Sequence, residues 1–447
     1  MEYEDYFKGK KVTVMGLGLL GRGVGDVAYL AEAGAEEILV TDLKNDEALR
    51  ESVEKLEQYT NVRFVLGEHR MEDFEKRDMI LVAAGVPMDS EYLRHARKAD
   101  VPLRQSAALF VELSKIPVIG ITGTRGKSTV THMIHHVLMQ TTEGAHVILG
   151  GNVRGVSNLQ LLKEVEEDSI AVMELDSWQL QGFGWVKISP QIAVFTNFME
   201  DHLNYYHGDM DTYFADKANI FLNQEESGVF VTTPEVFERA KKFAQEKFIT
   251  LGQEVVLADA STLPDGCILQ IPGEHNRLNA ALAYEALKAT SLEDEFIFEG
   301  LASFPGVPGR LEFLREVNGV KIYNDNNATT PQATLVALEA LDPQKKTNII
   351  LIMGGADKGL DMSMLREAVH MHCKDVIFLA GSGTDRVHAD APDKPVFDSL
   401  EKAVTAAVAT ATSGDTILFS PAFASFGLFK NEYDRNDQFV ETVNNLS

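Results

Sequence analysis

The chain is 447 residues long, more than one hydrophobic core usually organises, which predicts two to four domains. Its hydrophobic fraction of 45% and charged fraction of 24% are typical of a soluble globular protein. Lys and Arg total 41 against 67 Asp and Glu, a net charge of −26, which argues against nucleic-acid and membrane-surface partners. The N-terminus lacks a signal-peptide pattern, and the two cysteines, Cys267 and Cys373, have no metal-binding spacing. We therefore expect a cytoplasmic protein with reduced thiols.

Short apolar runs alternate with helical patterns along the chain. These runs lie at 11–16, 37–42, 78–85, 116–123, 169–175, 191–197, 320–325, 347–355, 375–381 and 415–422. Continuous rather than alternating apolar character is typical of parallel strands buried on both faces. The pattern predicts an α/β protein of three domains with mainly parallel sheets. We set the domain boundaries at 1–106, 107–306 and 307–447.

A glycine motif follows the first predicted strand. Gly16, Gly18 and Gly21 have the G-x-G-x-x-G spacing, and Asp42 ends the next strand, where dinucleotide folds have a ribose-binding carboxylate. Such glycines let a phosphate approach the backbone at a helix N-terminus, but they also form tight turns that bind nothing. Taken alone, the motif favours a nicotinamide-dependent oxidoreductase, and both interpretations stay open at this point.

A stronger motif is ITGTRGKST (121–129), which follows an apolar strand and precedes a helix. A turn of small residues directs its N–H groups inward around phosphate oxygens. Lys127 is expected to reach the β- and γ-phosphates, and the Ser128 hydroxyl to bind Mg²⁺. Ile121 replaces the first glycine of the general P-loop pattern, so the motif is a variant of it. The segment predicts a nucleoside-triphosphate site.

Further polar side chains follow the strands of the central part of the chain. Glu174 ends one strand, and His202 follows the next, both at the strand ends where α/β proteins have functional groups. His202 is equally compatible with a metal ligand and with a structural histidine. His132 and His136 have an i, i+4 spacing but no evident third ligand, so we interpret them as helix-surface or packing residues.

Five segments of the central part of the chain form a recognisable set: TGTRGKSTVT, MELDSWQL (173–180), TNFMEDHLNYY (196–206), ADKANIF (215–221) and GEHNRLNAALA (273–283). Together they resemble the Mur ligase family, which uses ATP to join amino acids to UDP-linked muramic acid. The resemblance implies a central P-loop ATP-binding domain between a Rossmann-like UDP-binding domain and a Rossmann-like C-terminal domain. Four more resemble the branch that adds D-glutamate to UDP-N-acetylmuramoyl-L-alanine in peptidoglycan synthesis: GVPGRLEF (306–313), NDNNATTPQAT (324–334), GGADKGLDM (354–362) and SPAFASFGLFKNEYDRNDQF (420–439). The resemblance spans essentially the whole chain.

The resemblance implies that the substrate carboxylate attacks the γ-phosphate of ATP, and that glutamate then displaces phosphate from the acyl phosphate. Its implied catalytic residues are Lys127, Glu174, His202, Lys217 and Lys358. ATP is expected at Gly123, Thr124, Arg125, Gly126, Lys127, Ser128, Thr129, Asn279, Arg310 and Asp325. Two Mg²⁺ ions are expected at Ser128, Glu174, His202 and Lys217, with Lys217 acting as a ligand once carbamylated. The UDP substrate is expected at Gly18, Leu19, Leu20, Asp42, Lys44, Gly85, Asn152 and Gln179, and glutamate at Thr329, Lys358, Ser425 and Phe426.

Three positions depart from the pattern of many relatives: Asp176 stands for Ser, Asn327 for Lys, and Glu432 for Phe. They affect the expected geometry of the amino-acid pocket rather than the class of reaction. The alternatives are another Mur ligase, an L-glutamate-adding variant, a regulatory P-loop ATPase, and the nicotinamide enzyme. The expected partners are small-molecule substrates only, and the expected state is a monomer.

Overall fold

The computed structural model describes residues 3, 5–19, 21–141, 146–264, 266–389 and 391–446. It forms two compact units, one of Met1–Pro264 with Leu278–Leu301 and one of Asp265–Arg277 with Ala302–Ser447. The first unit contains two parallel sheets and the second unit contains one mainly parallel sheet. The predicted α/β class with mainly parallel sheets is confirmed.

The first sheet has five parallel strands in the order β3-β2-β1-β4-β5. Its strands are β1 (Lys11–Met15), β2 (Glu37–Asp42), β3 (Val62–Leu66), β4 (Met79–Val82) and β5 (Leu103–Arg104). Its helices are α1 (Arg22–Glu32), α2 (Asp46–Glu54), α3 (Glu91–Lys98) and α4 (Ser106–Ser114). The order reverses between β1 and β4, which opens a crevice at their carboxyl ends where such sheets bind ligands.

The second sheet has six parallel strands in the order β11-β10-β9-β6-β8-β7. Its strands are β6 (Val118–Thr122), β7 (Val147–Gly151), β8 (Ile170–Glu174), β9 (Ile192–Phe195), β10 (Val229–Thr232) and β11 (Glu254–Leu257). Its helices are α5 (Lys127–Thr141), α6 (Ser177–Val186), α7 (Met210–Ala218), α8 (Pro234–Glu246), α9 (Glu274–Lys288) and α10 (Asp294–Ser303). The carboxyl ends of β6, β8 and β9 are adjacent, so the residues that follow them meet at one edge of the sheet.

The third sheet has the order β12-β13-β17-β14-β15-β16, and only the edge pair β12–β13 is antiparallel. Its strands are β12 (Glu312–Val317), β13 (Val320–Asn324), β14 (Ile349–Gly354), β15 (Cys373–Leu379), β16 (Val396–Phe397) and β17 (Thr416–Phe419). Its helices are α11 (Pro331–Leu341), α12 (Ser363–His372), α13 (Ser382–His388), α14 (Leu400–Thr410) and α15 (Glu432–Asn444).

Burial on both faces explains why the strands are continuously apolar. Ile349 and Leu351 of β14 pack into one hydrophobic cluster, whereas Ile350 and Ile352 between them pack into another on the opposite face. Helices cover each face of the sheet, so side chains that point to either face are buried. Among the described residues, none of the helices has the length and apolar character needed to cross a membrane.

Candidate active site

The phosphate loop lies between β6 and α5, as its sequence predicts. Gly123 and Gly126 adopt φ angles of +144° and +81°, which side chains rarely tolerate. Lys127 Nζ donates to the carbonyl oxygens of Gly123 at 3.0 Å and Thr124 at 3.1 Å, so the ammonium lies over the loop. The loop therefore has the glycine turns of a phosphate loop, with the Lys127 ammonium bound to two of its carbonyl oxygens.

Residues after β9 hold the outer side of this loop. Thr124 N donates to Asn197 O at 2.9 Å, and Arg125 N donates to the Asn197 side chain at 2.8 Å. Thr196 Oγ1 donates to Arg125 O at 2.5 Å. A methyl group added at Gly126 would lie only 2.4 Å from Asn279 Oδ1, so this predicted nucleotide residue packs directly against the loop.

Glu174 is the last residue of β8, and its side chain lies at the same edge of the sheet as the loop. Asn152 Nδ2 donates to Glu174 Oε1 at 3.2 Å. A residue predicted to bind the UDP substrate is therefore in contact with a predicted Mg²⁺ ligand. Arg22 Nη1 donates to Asn152 Oδ1 at 2.7 Å and extends this chain of contacts to the first glycine motif. Sequence reasoning missed Arg22, since nothing in its local pattern indicates a partner 130 residues away.

Lys217 is buried on α7, with only 1% of its surface exposed. Its Nζ donates to Gly123 O at 2.8 Å, the carbonyl that Lys127 also contacts. Burial, and then the charge of Lys127, hold the pKa of Lys217 well below its ordinary value. A lowered pKa favours a neutral amine, the form that reacts with CO₂.

His202 follows β9 and adopts a left-handed backbone, with φ of +52°. Its ring lies 4.6 Å from the Trp178 ring centroid, and its Nε2 lies 3.9 Å from Asp201 Oδ2. Burial lowers the pKa of His202, while the Asp201 carboxylate opposes this shift. The imidazole is therefore held neutral near pH 7, as a metal ligand must be.

The departure at Asp176 has a structural explanation. Asp176 is the N-cap of α6, where its Oδ1 accepts from Gln179 N at 2.8 Å. Gln179 Oε1 in turn accepts from Asp176 N at 3.3 Å, which completes a capping box. The D-x-x-Q spacing in the sequence could have indicated this role.

The first glycine motif lies between β1 and α1, but its amides are partly occupied. Asp42 Oδ2 accepts from Leu17 N at 2.9 Å and Gly18 N at 3.3 Å, and Asp42 Oδ1 accepts from Lys44 N at 2.9 Å. In a dinucleotide fold, the carboxylate at this position binds the ribose hydroxyls. Here both carboxylate oxygens of Asp42 accept hydrogen bonds from backbone amides and stabilise the loop. Leu19 is 60% exposed, and Leu20 lies outside the described residues.

Gly85 lies next to the Trp178 ring, since a methyl group added there would be 3.8 Å from it. Trp178 also packs on His202. Its ring therefore connects Gly85, in the domain of the first sheet, with His202 near the phosphate loop.

Most predicted glutamate residues come together in the second unit. Lys358 Nζ donates to Thr329 Oγ1 at 2.9 Å. Backbone hydrogen bonds between Ala356 and Ala424, of 2.9 and 3.1 Å, bring the Lys358 loop beside buried Ser425. Phe426 follows Ser425 and is 66% exposed, so its ring is presented to solvent at this edge.

Two residues that the sequence did not indicate hold these loops. Arg386 lies 3.1 Å from Asp357 Oδ1 and donates to Leu360 O at 2.7 Å, on either side of Lys358. Arg435 is fully buried and donates to Asn326 Oδ1 at 2.8 Å and to Phe423 O at 3.2 Å. These contacts explain how loops distant in sequence present one set of polar groups.

Asp325 follows β13 and is buried. Its carboxylate accepts from Leu311 N at 3.0 Å and from Ser420 Oγ at 2.8 Å. Leu311 directly follows Arg310 in the chain, and Arg310 is exposed. Burial raises the pKa of Asp325 to about 7. Asn327 donates its backbone N–H to Gly309 O at 2.9 Å, so its loop packs beside the same segment.

Glu174 and Ser128, the predicted metal ligands beside the phosphate loop, supply oxygen atoms, which are the donors that Mg²⁺ takes in proteins. Over the described ranges, no group of three or more His, Cys, Asp or Glu side chains is arranged to hold a metal ion. Mg²⁺ typically keeps waters and substrate phosphate oxygens and takes only one or two protein ligands. Glu174 and Ser128 beside a phosphate cradle fit that pattern.

The chain is similar to known proteins along its whole length. Sequence models match for the Mur ligase MurD-like N-terminal domain at 10–104, the Mur ligase middle domain at 121–287, and the Mur ligase glutamate ligase domain at 309–423. The chain is 34% identical to the UDP-N-acetylmuramoylalanine–D-glutamate ligase of Roseiflexus sp. (strain RS-1), covering 98% of this chain and 99% of that one. It is 33% identical to the enzyme of the same name from Borreliella afzelii (strain PKo), covering 99% of both.

Solved structures share the fold at lower identity. UDP-N-acetylmuramate-alanine ligase MurC from Thermotoga maritima matches with a TM-score of 0.59 and 18% identity, over 97% of this chain and 99% of that one. MurF ligase from Thermotoga maritima, solved in complex with ADP, matches with a TM-score of 0.59 and 16% identity, over 98% and 95%. Full-length relatives above 30% identity confirm the resemblance inferred from the motifs: the chain belongs to the Mur ligase family.

Proposed function

We propose that this protein is an ATP-dependent ligase that joins D-glutamate to UDP-N-acetylmuramoyl-L-alanine in peptidoglycan precursor synthesis. The observation that carries the proposal is the full-length similarity to relatives named for that reaction. The phosphate loop, with Lys127 and Lys217 on the Gly123 carbonyl, supports ATP as the energy source. The nicotinamide interpretation has less support, because Asp42 is occupied by backbone amides.

The reaction brings two anions together, so the chain must supply positive charge. We propose that Lys127 and the loop Gly123–Thr129 hold the phosphates of ATP and stabilise the charge that develops on the transferred group. The amides of Thr124 and Arg125 donate to Asn197, so the other amides of the loop are the proposed phosphate donors. Mg²⁺, when bound at Ser128 and Glu174, supplies Lewis-acid stabilisation of the phosphate oxygens. Neutral His202 and carbamylated Lys217 are our proposed protein ligands for a second Mg²⁺. Asn279, Arg310 and Asp325 complete the proposed nucleotide site.

The two substrates to be joined have separate proposed sites. The proposed site for the UDP-linked substrate consists of Gly18, Leu19, Leu20, Asp42, Lys44, Gly85, Asn152 and Gln179. Thr329, Lys358, Ser425 and Phe426 form the site for glutamate. Lys358, paired with the Thr329 hydroxyl, is the cation suited to the side-chain carboxylate of glutamate.

We also propose the division into domains 1–106, 107–306 and 307–447, a cytoplasmic location, and a monomer. Carbamylation of Lys217 is supported by its burial and its lowered pKa, because only a neutral amine adds CO₂. Native mass spectrometry of the folded protein in bicarbonate at neutral pH, where the carbamate does not lose CO₂, is expected to show one added CO₂, absent in Lys217→Ala. An unmodified wild-type mass would contradict carbamylation.

The deciding experiment measures phosphate release from Mg·ATP with UDP-N-acetylmuramoyl-L-alanine and one amino acid at a time. D-glutamate, L-glutamate, L-alanine and a diamino acid are compared, with mass detection of the product. We expect phosphate and a mass gain of one glutamate with D-glutamate alone. Turnover with L-glutamate or a diamino acid would favour another Mur ligase activity, and release without any amino acid would favour a regulatory ATPase.

A further inference from the structure

Lys358 lies in a short turn after β14, formed by residues 357–360 and called the lysine turn below. Asp357 closes the turn, because its Oδ1 accepts from Gly359 N at 2.9 Å on the far side of Lys358. Lys358 is exposed, and its Nζ donates to Thr329 Oγ1 at 2.9 Å. A lysine ammonium is carried on a flexible four-carbon stem, so its position depends on how firmly the backbone beneath it is held.

Arg386, on α13, contacts both ends of the lysine turn with one nitrogen atom of its guanidinium group. Its Nη2 lies 3.1 Å from Asp357 Oδ1 and donates to Leu360 O at 2.7 Å. Hydrogen bonds between charged groups are roughly twice as strong as neutral ones, so Arg386 restrains the turn more than a neutral contact would. One side chain therefore holds the residues on either side of Lys358.

The N-terminal residues of α13 bind the segment that leads into the lysine turn. Gly383 N donates to Gly355 O at 2.9 Å, and Asp357 N donates to Ser382 Oγ at 3.1 Å. These bonds fix the start of the turn on α13. Arg386 belongs to the same helix and fixes the end of the turn, so α13 holds the turn on both sides.

Arg386 also determines the charge next to Lys358. The carboxylate of Asp357 directly precedes Lys358 in the chain, and its ion pair with Arg386 leaves the two side chains only 28% and 37% exposed. Glutamate carries two carboxylates and one ammonium, so an unpaired carboxylate in the lysine turn would repel it. Because the guanidinium neutralises Asp357, that carboxylate does not compensate the positive charge of Lys358.

We propose that Arg386 is a positioning residue for glutamate binding. By holding both ends of the lysine turn, it keeps the Lys358 ammonium beside the Thr329 hydroxyl, where the side-chain carboxylate of glutamate is bound. A group that is already in place loses less conformational entropy on binding, so the restraint increases the affinity for glutamate. Arg386 acts through Lys358 rather than on the reacting atoms. The inference rests on the proposed function for the identity of the amino acid.

The first test measures the steady-state kinetics of Arg386→Met, with D-glutamate, ATP and UDP-N-acetylmuramoyl-L-alanine varied one at a time. The KM for D-glutamate is expected to rise about tenfold, as for the loss of one charged hydrogen bond. The kcat at saturating D-glutamate and the KM values of the other two substrates are expected to stay within about twofold of the wild type. Lys402→Met is the matched control, because it removes an exposed ion pair of the same unit, Lys402 Nζ to Asp398 Oδ1 at 2.7 Å. It is expected to match the wild type.

The second test does not depend on activity. Hydrogen–deuterium exchange of residues 355–361 reports on the lysine turn, because Gly359 N–H is bonded to Asp357 and Asp357 N–H to Ser382. Exchange there is expected to be about threefold faster or more in Arg386→Met, and exchange in β14 to stay unchanged. Arg386→Lys keeps the charge on a side chain that is shorter by one bond, so intermediate changes in KM and exchange are expected. It replaces Arg386→Met if thermal unfolding shows that the latter does not fold.

A wild-type KM for D-glutamate in the folded variant would overturn the proposal, as would an equal rise in Lys402→Met. A fall in kcat alone, or a rise in KM for all three substrates, would indicate a general structural role and would also overturn it. If the wild type fails to ligate D-glutamate while Arg386→Met still exchanges faster, the proposed function fails and the restraint on the lysine turn stands. If ligation of D-glutamate proceeds and neither KM nor exchange changes, the inference about Arg386 fails alone.

Discussion

Gly126→Ala tests whether the phosphate loop and Asn279 form one nucleotide site. Gly126 has φ of +81°, a conformation that costs an L-residue about 1–2 kcal/mol. The new methyl group would lie 2.4 Å from Asn279 Oδ1 and 3.3 Å from its Cγ. Asn279 is only 6% exposed, so it has little room to move away.

Both effects act on ATP binding. If the loop of the variant relaxes to relieve strain, ATP binding must restore the left-handed conformation at that energetic cost. Displacement of Asn279 removes one further hydrogen bond, which lowers the binding free energy by about 1 kcal/mol. Together about 2–3 kcal/mol is lost, which corresponds to roughly 30- to 150-fold weaker nucleotide binding.

The assay measures the Kd of ADP by calorimetry and the KM for ATP, alongside thermal stability. Gly9→Ala is the matched control, because Gly9 has φ of +72° with no atom within 4 Å of an added methyl group. The control is expected to lose stability without losing ADP affinity. A Gly126→Ala variant with ADP affinity within threefold of wild type, or an equal loss in Gly9→Ala, would refute the reasoning.

Three further predictions concern single residues. Lys127→Ala removes the cation over the loop and is expected to lower kcat/KM at least 100-fold with an unchanged circular dichroism spectrum, whereas near-normal turnover would contradict the assigned ATP site. Asp176→Ala removes the cap of α6 and is expected to cost about 1 kcal/mol of unfolding free energy in urea, while Asp176→Asn keeps most of it; equal losses would contradict the capping role. Burial raises the pKa of Asp325 from 3.8 to about 7, so the native state keeps a proton that the unfolded state releases. The free energy of unfolding should therefore fall as pH rises from about 4 to about 7, and Asp325→Asn should remove that part of the slope in pH-dependent denaturation.

Features formed by contiguous residues were predictable from the sequence. The ITGTRGKST segment combines strand, turn and helix start in nine residues, so its fold follows from local rules. The D-x-x-Q spacing of Asp176 and Gln179 is equally local and indicates a helix N-cap, a role that the sequence analysis did not assign. The phosphate loop can therefore be predicted from the sequence without knowledge of the tertiary structure.

Contacts between distant segments could not be predicted. Arg22, Asn152 and Glu174 form one chain of hydrogen bonds across three separate elements. Arg435 holds Asn326 from 109 residues away, and no periodicity indicates that pairing. Such contacts depend on which strand ends become neighbours, and a strand order such as β3-β2-β1-β4-β5 cannot be read from chain order alone.

The sequence by itself determined the α/β class, the parallel strands and the phosphate loop, because these follow from hydrophobic periodicity and from the backbone freedom of glycine. The tertiary structure alone decided which polar groups are already satisfied. Asp42, which the motif suggests for a ribose, is occupied by backbone amides. Gln105, which no motif indicates, lines a cavity, and its Nε2 has no acceptor among the described residues. Hydrogen-bond satisfaction depends on distances and directions between residues far apart in the chain, and only folding sets those.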